Sequence, residues 1–502
     1  MTVTIDEIRN ACDTYIEAAD REFYLHGSGQ KTSLELAAVT AEHGARFTPE
    51  ALRTVLDARA AAPDEEERRR LTALALMVAE SCMERELAPL VDELGTAEAT
   101  ATIEVDGETL GYFQASVAIA NEPDRDRRRR ITQAQLAATD ALNPLRERLF
   151  RRHHELLAEL GLGPYVDVYS ELKGIDLPQL GQVMTDFLAR TREIWVDAVQ
   201  PWFEAEIGVP FAQAERHDTA RLFRMRDRDE WFGGEAMLPA LKETLLGLGV
   251  AIDDQPNVIL DVEERASKSP RAFCAPVKVP DEVYLVIRPS GGYQDWRALF
   301  HEAGHTEHFA HVDAARPVEH RRLGDNSVTE AFAFTFEHLL IDPSWIGDHT
   351  AATGEELRTL IRRAHTYYLY FARRYAAKLV YELALHGDGP DGLAGKPELY
   401  AQSLTDALGF RYDPRAYLDD VDAGFYVAQY LRAWMLEAQL NGRWRERHGE
   451  RWWKPGGAGD ELRHLWSLGQ ALPAHVLSDE LGMGGLGIDA LEARIRAGLA
   501  AG

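Results

Sequence analysis

The residue types and spacing with the clearest chemical meaning occur in one pentapeptide, His301-Glu302-Ala303-Gly304-His305. On a helix, residues four positions apart share a face, so both imidazoles can bind one zinc ion. Glu302 is rotated away from that face by about a third of a turn, where it can accept a proton from water without binding the metal. No proline interrupts residues 296–312, so we expect a helix here. The pattern predicts hydrolysis.

A third ligand is needed, because a catalytic zinc ion usually has three protein ligands and one open position. The next segment that we predict to be helical covers residues 328–340, after a loop of capping residues at 324–327. Glu330 lies in its first turn among small and aromatic residues. Burying a carboxylate there is costly unless a partner such as a metal compensates it. We therefore expect Glu330 to be the third ligand; the alternative is an acid favoured at a helix start by the macrodipole.

The spacing of these residues resembles the thimet oligopeptidase and oligopeptidase F family of zinc metallopeptidases. In this chain, 24 residues separate His305 from Glu330, and a second acid, Glu337, follows seven positions later. The family carries its third zinc ligand at that separation, in a stretch of the form E-x6-E. Residues 271–276 and 283–287 also resemble the family's sequence before the motif. The angiotensin-converting enzyme family is a weaker likeness, with a slightly shorter gap to the glutamate.

The resemblance implies a gluzincin-type site with one zinc ion per chain, Glu302 as general base, and Glu337 either orienting a bound histidine or lying on the surface. It also implies a mostly α fold: a two-lobed helical body with a deep central channel and a small antiparallel sheet beside the zinc helix. We expect an N-terminal helical lobe over residues 1–165 and a catalytic lobe over residues 166–502, joined in one compact unit.

Amide hydrolysis further needs a hydrogen-bond donor for the oxyanion that develops on the attacked carbonyl. The segment 422–430, DAGFYVAQY, resembles the family segment that supplies a tyrosine for this purpose. Tyr426 is the best match, and Tyr430 follows one helical turn later on the same face. Core packing of an aromatic helix face is the alternative for both tyrosines.

The chain departs from the family pattern shortly before this segment. Relatives carry a histidine nine or ten residues before the tyrosine, whereas this chain has Ala416 and Tyr417. Either Tyr417 or Tyr412 takes the place of that histidine, or the substrate is unusual. The resemblance implies hydrolysis of short peptides or peptide-like molecules. The alternatives are a zinc hydrolase of a non-peptide amide or specialised metabolite, and a non-catalytic binding protein that keeps the fold.

Composition excludes several classes of protein. The formal net charge of −27 over 502 residues argues against nucleic-acid binding, which needs basic patches. The basic run at residues 127–130 is flanked by acids, and we expect it on a solvated helix face. No run of eighteen apolar residues occurs, so we expect no membrane span. The three cysteines are scattered and the N-terminus lacks the pattern of a signal peptide, which favours a reducing cytoplasm.

Helical periodicity dominates elsewhere, for example over residues 71–94, 125–160 and 177–203. Residues 102–110 predict a hairpin with an Asp-Gly turn. Strands are predicted at 258–262, 272–279 and 283–287, as a small antiparallel sheet with an edge on which an extended substrate can add a strand. His308 and His311 continue the face of His301 and His305, but one zinc ion cannot reach two turns along the helix. The other histidines considered, His153, His154, His338 and His365, lack partners at ligand spacing, and we expect structural roles for all six.

Overall fold

The computed structural model describes residues 3–501, and α-helices make up most of it, which confirms the predicted mostly α fold. The helices of the first half are α1 Ile5–Gly27, α2 Leu36–His43, α3 Pro49–Ala60, α4 Glu65–Thr100, α5 Tyr112–Asn121, α6 Arg125–Glu159, α7 Tyr165–Lys173, α8 Leu177–Arg190, α9 Arg192–Ile207, α10 Arg216–Leu222 and α11 Gly234–Gly247.

The second half continues the same architecture. Its helices are α12 Tyr293–Ala310, α13 Asn326–Glu337, α14 Pro343–His349, α15 Gly354–Gly387, α16 Lys396–Leu408, α17 Tyr426–His448, α18 Gly459–Ser467, α19 Ala474–Glu480 and α20 Asp489–Ala501. The strands are β1 Thr102–Val105, β2 Glu108–Gly111, β3 Val258–Asp261, β4 Phe273–Lys278 and β5 Glu282–Val286. Among residues 3–501, no helix combines the length and the apolar character that crossing a membrane requires.

The chain divides into two compact units. The first unit contains the chain up to Cys82, Arg226–Ile361 and the chain from Gln429 onward, and the second contains Met83–Met225 and Arg362–Ala428. This division differs from the boundary that we expect at residues 165/166, because both units combine segments that are distant in sequence. The channel between two lobes stays a prediction.

Two long helical predictions illustrate what periodicity can and cannot show. The stretch 125–160 corresponds to the single helix α6, whereas the stretch 177–203 is divided into α8 and α9 at Thr191. The Thr191 side chain donates to the carbonyl of Phe187 at 2.7 Å, and it also accepts a hydrogen bond from the buried Arg373. The break therefore depends on a contact from a residue far away in sequence.

The basic run at residues 127–130 is not uniformly solvated, contrary to the prediction. Arg128 is buried and forms an ion pair with Asp218 at 3.2 Å, while Arg130 remains half exposed and pairs with Asp106. Consecutive helical residues point in different directions, so one arginine of the run faces the interior of the second unit. The carboxylate of Asp218 compensates the buried charge.

The predicted hairpin forms from β1 and β2, which pair in antiparallel register with Val105 opposite Glu108. The turn residues Asp106 and Gly107 both have positive φ, 55° and 84°, as a type I′ turn requires. A small sheet also forms beside α12, with the strand order β3-β5-β4. Within it, β4 and β5 are antiparallel as predicted, whereas β3 pairs with β5 in parallel, so the sheet is mixed.

Helix α13 begins two residues earlier than predicted. The Asp325 side chain caps it by accepting from the backbone N–H of Ser327 at 2.9 Å. The helix ends at Glu337 and continues as a short 3-10 turn, His338–Ile341. All its residues from Ser327 to Glu337 are buried, including two carboxylates, so this helix needs cationic partners.

In the second unit, two buried side chains of α15 hold the segment that precedes α17. The carboxyl of Glu382 accepts from the backbone N–H of Asp422 at 2.9 Å, and the ammonium of Lys378 lies 3.0 Å from the Asp422 carboxylate. Glu382 and Lys378 are one helical turn apart on α15, and both are buried. Asp422, the first residue of this segment, is therefore held by two side chains on one face of α15.

We predict that Glu382 makes the protein less stable as the pH rises. Burial raises the pKa of its carboxyl to about 8, although Lys378 opposes this rise. Between its ordinary pKa and about 8, the folded chain holds a proton that the unfolded chain has released, so the free energy of unfolding falls by up to about 1.4 kcal/mol per pH unit. In Glu382→Gln this contribution is absent. Denaturant unfolding at pH 5, 6, 7 and 8 should show a smaller decline for the variant.

The control is Glu398→Gln, which removes an exposed acid on α16 of the same unit. Its stability should follow the wild-type dependence on pH. If Glu382→Gln and the wild type lose stability in parallel between pH 5 and 8, Glu382 is ionised in the folded protein.

Candidate metal centre

Close contact between α12 and α13 creates the candidate site. Gly304 has no side chain, and a Cβ placed there would lie 2.5 Å from the carbonyl oxygen of Phe332 and 2.6 Å from the Cα of Ala333. The two backbones therefore touch where the HEAGH motif faces α13. The apolar neighbours Leu299 and Phe300 are fully buried, which anchors the other face of α12 in the core.

Three of the predicted residues come together. The ligand atoms of His301, His305 and Glu330 all lie within 4.8 Å of one another, and they form the group of possible metal ligands among residues 3–501. The Glu330 Oε2 atom lies 3.4 Å from His301 Nε2 and 3.6 Å from His305 Nε2. Ligand atoms in a tetrahedral zinc site, with bonds of about 2.0–2.1 Å, are about 3.3 Å apart. The distances from the glutamate to each histidine are close to that geometry.

The outer nitrogen of each imidazole has its own partner. The Nδ1 atom of His301 lies 2.9 Å from Glu337 Oε2, and the Nδ1 atom of His305 lies 2.8 Å from the hydroxyl of Thr329. With a proton on each Nδ1, both Nε2 lone pairs would be available to bind a metal ion beside Glu330. Such partners fix the tautomer and the ring orientation of metal-binding histidines. Glu337 thus lies where it can orient His301, one of the two roles expected for it.

Charge in the site favours a cation. Burial would raise the pKa of the Glu330 and Glu337 carboxyls, but His305 and His301 lower the first, and Arg297 and His301 lower the second. Burial opposes protonation of His301, yet Glu330 and Glu337 outweigh it and raise its pKa well above the ordinary value. Two buried carboxylates thus surround a place where either a proton or a metal ion supplies positive charge.

Glu302 does not join the ligand group. Its Oε2 atom accepts from the backbone N–H of Cys274 on β4 at 2.9 Å, and its side chain is partly exposed. Strand β4 lies at the edge of the sheet and packs against α12. The carboxylate is near enough to His301 to contribute to the rise of its pKa, and the role of Glu302 as the base stays a prediction.

Sequence reasoning missed two positioning residues. Arg297 donates to the Glu337 carboxylate, and it precedes His301 by four positions, so the helical period would have placed it on the same face. Thr329 directly precedes Glu330 but lies near His305 across the helix contact. Only the packing of α12 on α13 reveals that second pairing.

The ring of Phe334 lies between Tyr430 and the metal-ligand group. Its ring centroid is 5.6 Å from that of Phe334, whose centroid is 4.9 Å from that of His301. Tyr430 also contacts Trp434 at 6.1 Å, so it takes part in aromatic packing on α17. A role in catalysis stays a prediction.

Tyr426 is the first residue of α17 and belongs to the second unit, where it is partly exposed. The two preceding residues, Gly424 and Phe425, have positive φ of 59° and 56°. The Gly424 N–H donates to the Tyr165 hydroxyl at 2.9 Å, and a Cβ on Gly424 would lie 2.7 Å from the Tyr169 ring. The backbone that leads into Tyr426 is therefore tightly held, and its role as oxyanion donor stays a prediction.

The two tyrosines considered as replacements for the family's histidine are both buried in the second unit. The Tyr417 hydroxyl donates to Glu147 Oε1 at 2.8 Å, and the Tyr412 hydroxyl lies 3.4 Å from the Tyr370 hydroxyl. Each of the two hydroxyls thus already contacts another side chain of the same unit.

The histidines expected to be structural lie outside the metal-ligand group of the described residues. His308 is buried against the rings of Phe309 and Phe332. His338 contacts Glu437 at 2.8 Å, and His154 contacts His386 at 3.0 Å. Burial lowers the pKa of His154 to about 4, so it is neutral at neutral pH.

Comparison with known proteins supports the fold. Among solved structures, this fold is similar to that of a protein described as a putative oligoendopeptidase F from Bacillus anthracis str. Ames, with a TM-score of 0.60 and 13% sequence identity over 98% of this chain and 84% of that chain. This confirms the fold that the resemblance to oligopeptidase F implies. Neither a protein-family model nor a curated protein matches the sequence. The weaker likeness to the angiotensin-converting enzyme family stays a prediction.

We predict that Gly304→Ala weakens both folding and metal binding. The added methyl group meets backbone atoms of α13, which cannot rotate away, so the helices must separate and Glu330 must move from the histidines. Overpacking of this kind costs about 1–3 kcal/mol. Denaturant unfolding and metal titration of the metal-free protein measure the two effects.

Gly442→Ala is the matched control. Gly442 lies inside α17 of the same unit, and a Cβ there meets nothing within 4 Å, so the variant should be at least as stable as the wild type. Unchanged metal affinity in Gly304→Ala would show that the helix contact does not position Glu330.

Proposed function

We propose that this protein is a zinc metallopeptidase that hydrolyses amide bonds in short peptides. The observation that carries the proposal is the arrangement of His301, His305 and Glu330 at zinc-ligand distances, with the Glu302 carboxylate held beside them. The solved structure with a similar fold is described as an oligoendopeptidase, which supports the same reaction class.

The donor set fits zinc better than magnesium or calcium. Two imidazole nitrogens and one carboxylate oxygen are typical zinc ligands, whereas the two harder cations prefer oxygen ligands alone. A zinc ion bound there would act as a Lewis acid that polarises a carbonyl and lowers the pKa of water. The chain's own contribution is to hold both imidazole rings in place through Glu337 and Thr329.

Glu302 is the proposed general base. Its carboxylate takes the proton of the attacking water and passes it to the leaving amine. The hydrogen bond from Cys274 fixes the direction of the carboxylate before the substrate arrives. Tyr426, with Tyr430 as a second candidate, is the proposed donor to the oxyanion.

Strand β4 is the proposed platform for an extended peptide. It is an edge strand next to α12, so its outward backbone groups can pair with a substrate. Pro276 has no N–H, and the Cys274 N–H is already occupied by Glu302, so the strand offers few donors. Pairing would therefore extend over only a few substrate residues, in keeping with short peptides. We also propose that the enzyme acts in a reducing cytoplasm.

We predict that Glu302→Gln binds zinc normally but does not turn over substrate. The amide keeps the shape and accepts the Cys274 hydrogen bond, yet it cannot take a proton. Loss of a general base lowers the rate by about 10²- to 10⁴-fold. Cleavage of a mixed peptide library, followed by mass spectrometry, measures turnover, and elemental analysis measures bound zinc.

Glu264→Gln is the control for the Glu302 variant, because it changes an exposed acid in the same unit. It should cleave the library at the wild-type rate. An active Glu302→Gln enzyme would rule out Glu302 as the base.

We predict that Glu337→Gln lowers the affinity for zinc by about 10- to 100-fold. The carboxylate that faces His301 Nδ1 is lost, and the Arg297 guanidinium loses its ion-pair partner. Competition with a chromophoric chelator measures the dissociation constant. Thr329→Val should have a smaller effect, since it removes a neutral partner from His305. Equal affinities for wild type and Glu337→Gln would contradict an orienting role.

A zinc hydrolase of a non-peptide amide is the second candidate. One observation favours it: Ala416 and Tyr417 stand where relatives have a substrate-binding histidine, and the Tyr417 hydroxyl is engaged by Glu147. The peptide library separates the two candidates. Cleavage supports the peptidase, whereas a zinc-loaded protein that cleaves no peptide supports the non-peptide hydrolase.

A further inference from the structure

The outer edge of β4 differs along its length. Cys274 is opposite Leu285 on β5, yet its N–H donates to Glu302 of α12 at 2.9 Å. In an antiparallel pair, a residue that does not bond its partner strand turns both backbone groups to the other side. The edge of β4 at Cys274 therefore faces the proposed base and not another strand.

Beyond Cys274, β4 loses its regular pairing. The register with β5 shifts between Ala275 and Lys278. Pro276 lies within the shift and has no N–H to donate. A substrate strand that followed β4 in this direction would therefore find no donor at Pro276.

Two arginines occupy the next carbonyls of the chain. Arg322 donates to the carbonyl of Val277 at 2.6 Å, and Arg321 donates to the carbonyl of Val279 at 2.9 Å. Both arginines belong to a short helical turn of the same unit, Glu319–Leu323. A substrate amide would have to displace a guanidinium to take the place of either hydrogen bond.

Two acids of α1 hold these arginines. Arg322 donates to Asp20 at 3.0 Å and lies 3.6 Å from Asp13. Arg321 donates to Asp13 at 2.6 Å. The side chain of Arg322 is only 4% exposed, and a buried guanidinium that lost its carboxylates would be costly. We call these four residues the closing cluster: Asp13, Asp20, Arg321 and Arg322.

Helix α1 is itself fixed on the sheet, so the acids of the closing cluster have a defined position. Tyr24 of α1 stacks on Tyr284 of β5, with ring centroids 3.7 Å apart. A Cβ on Gly27 would lie 2.8 Å from the ring of Phe273 on β4. The closing cluster is therefore part of the rigid frame of the first unit and not a mobile surface group.

We propose that the closing cluster ends the part of β4 along which a peptide substrate can pair. Val277 is three residues from Cys274, a distance of about 10 Å along a strand. A peptide bound with its cleaved bond beside Glu302 then extends in this direction by only about two or three residues. The protein accordingly cleaves peptides close to one of their two ends. This inference rests on the proposed function, in which Glu302 acts at the cleaved bond and β4 pairs with the peptide.

The test uses a ladder of peptides that share one cleavable central sequence. One series is extended residue by residue at the N-terminus, and the other at the C-terminus. In one series, kcat/KM of the wild type should fall by about 10- to 100-fold once more than three residues follow the cleaved bond on that side. This is the loss expected when one hydrogen bond to a charged group is broken. In the other series kcat/KM should stay level, and mass spectrometry of the products identifies the cleaved bond.

The double variant Arg322→Met with Asp20→Asn opens the closing cluster without changing the net charge. Asp13 keeps its ion pair with Arg321, and the carbonyl of Val277 becomes available. The variant should cleave the long peptides of the restricted series almost as well as the short ones. Denaturant unfolding checks that it is folded, and the wild-type ladder decides the inference even where it is not.

Arg451→Met with Asp348→Asn is the matched control. It removes one ion pair of the same unit, at 3.0 Å, with the same two kinds of substitution. This variant should keep the length limit of the wild type.

The ladder separates failure of the inference from failure of the proposed function. Cleavage of all members of both series with equal efficiency would overturn the inference and leave the peptidase standing. An equal fall in both series, or a folded double variant that keeps the limit, would overturn it as well. If no member of the ladder is cleaved, the proposed function fails and the inference falls with it.

Discussion

The contact between α12 and α13 at Gly304 is the constraint on which the candidate site depends. Two helices normally approach to about 8–10 Å because side chains separate them. Here a residue without a side chain lets backbone meet backbone, so that Glu330 on one helix reaches the histidines on the other. A ligand group spread over two helices is therefore as well defined as one on a single helix. The glycine inside the motif has a structural role that the histidine spacing alone does not explain.

This close approach has an electrostatic consequence. It buries Glu330 and Glu337 on a helix that is otherwise apolar, and a buried carboxylate is stable only beside positive charge. Arg297 supplies that charge to Glu337, and His301 and His305 lie beside Glu330. Glu330 and Glu337 raise the pKa of His301 well above its ordinary value although burial opposes this, so positive charge is favoured at this place.

The parts of this structure that the sequence predicts are those set by local geometry. His301 and His305 share a face because any helix brings positions i and i+4 together, and the Asp106-Gly107 turn forms because both residues accept positive φ. The prediction of Glu330 as a ligand required more than local geometry, because it depended on a spacing that resembles that of a known family. Pairings between segments that are distant in sequence could not be predicted from the sequence. The parallel pairing of β3 with β5 and the burial of Arg128 against Asp218 depend on which surfaces meet, and no local pattern encodes that.

The segment before Tyr426 shows the same dependence on distant contacts, and it bears on the role proposed for Tyr426. An oxyanion donor is effective only if its direction is fixed before the charge develops. Phe425 has a left-handed backbone, which costs a non-glycine residue about 1–2 kcal/mol, and it persists only where its surroundings enforce it. The Tyr165 hydroxyl accepts a hydrogen bond from the Gly424 N–H, and the Phe425 ring packs against His386. Glu382 and Lys378 both contact Asp422. These contacts hold the start of α17 in one conformation, which a preorganised hydrogen-bond donor at Tyr426 would also require.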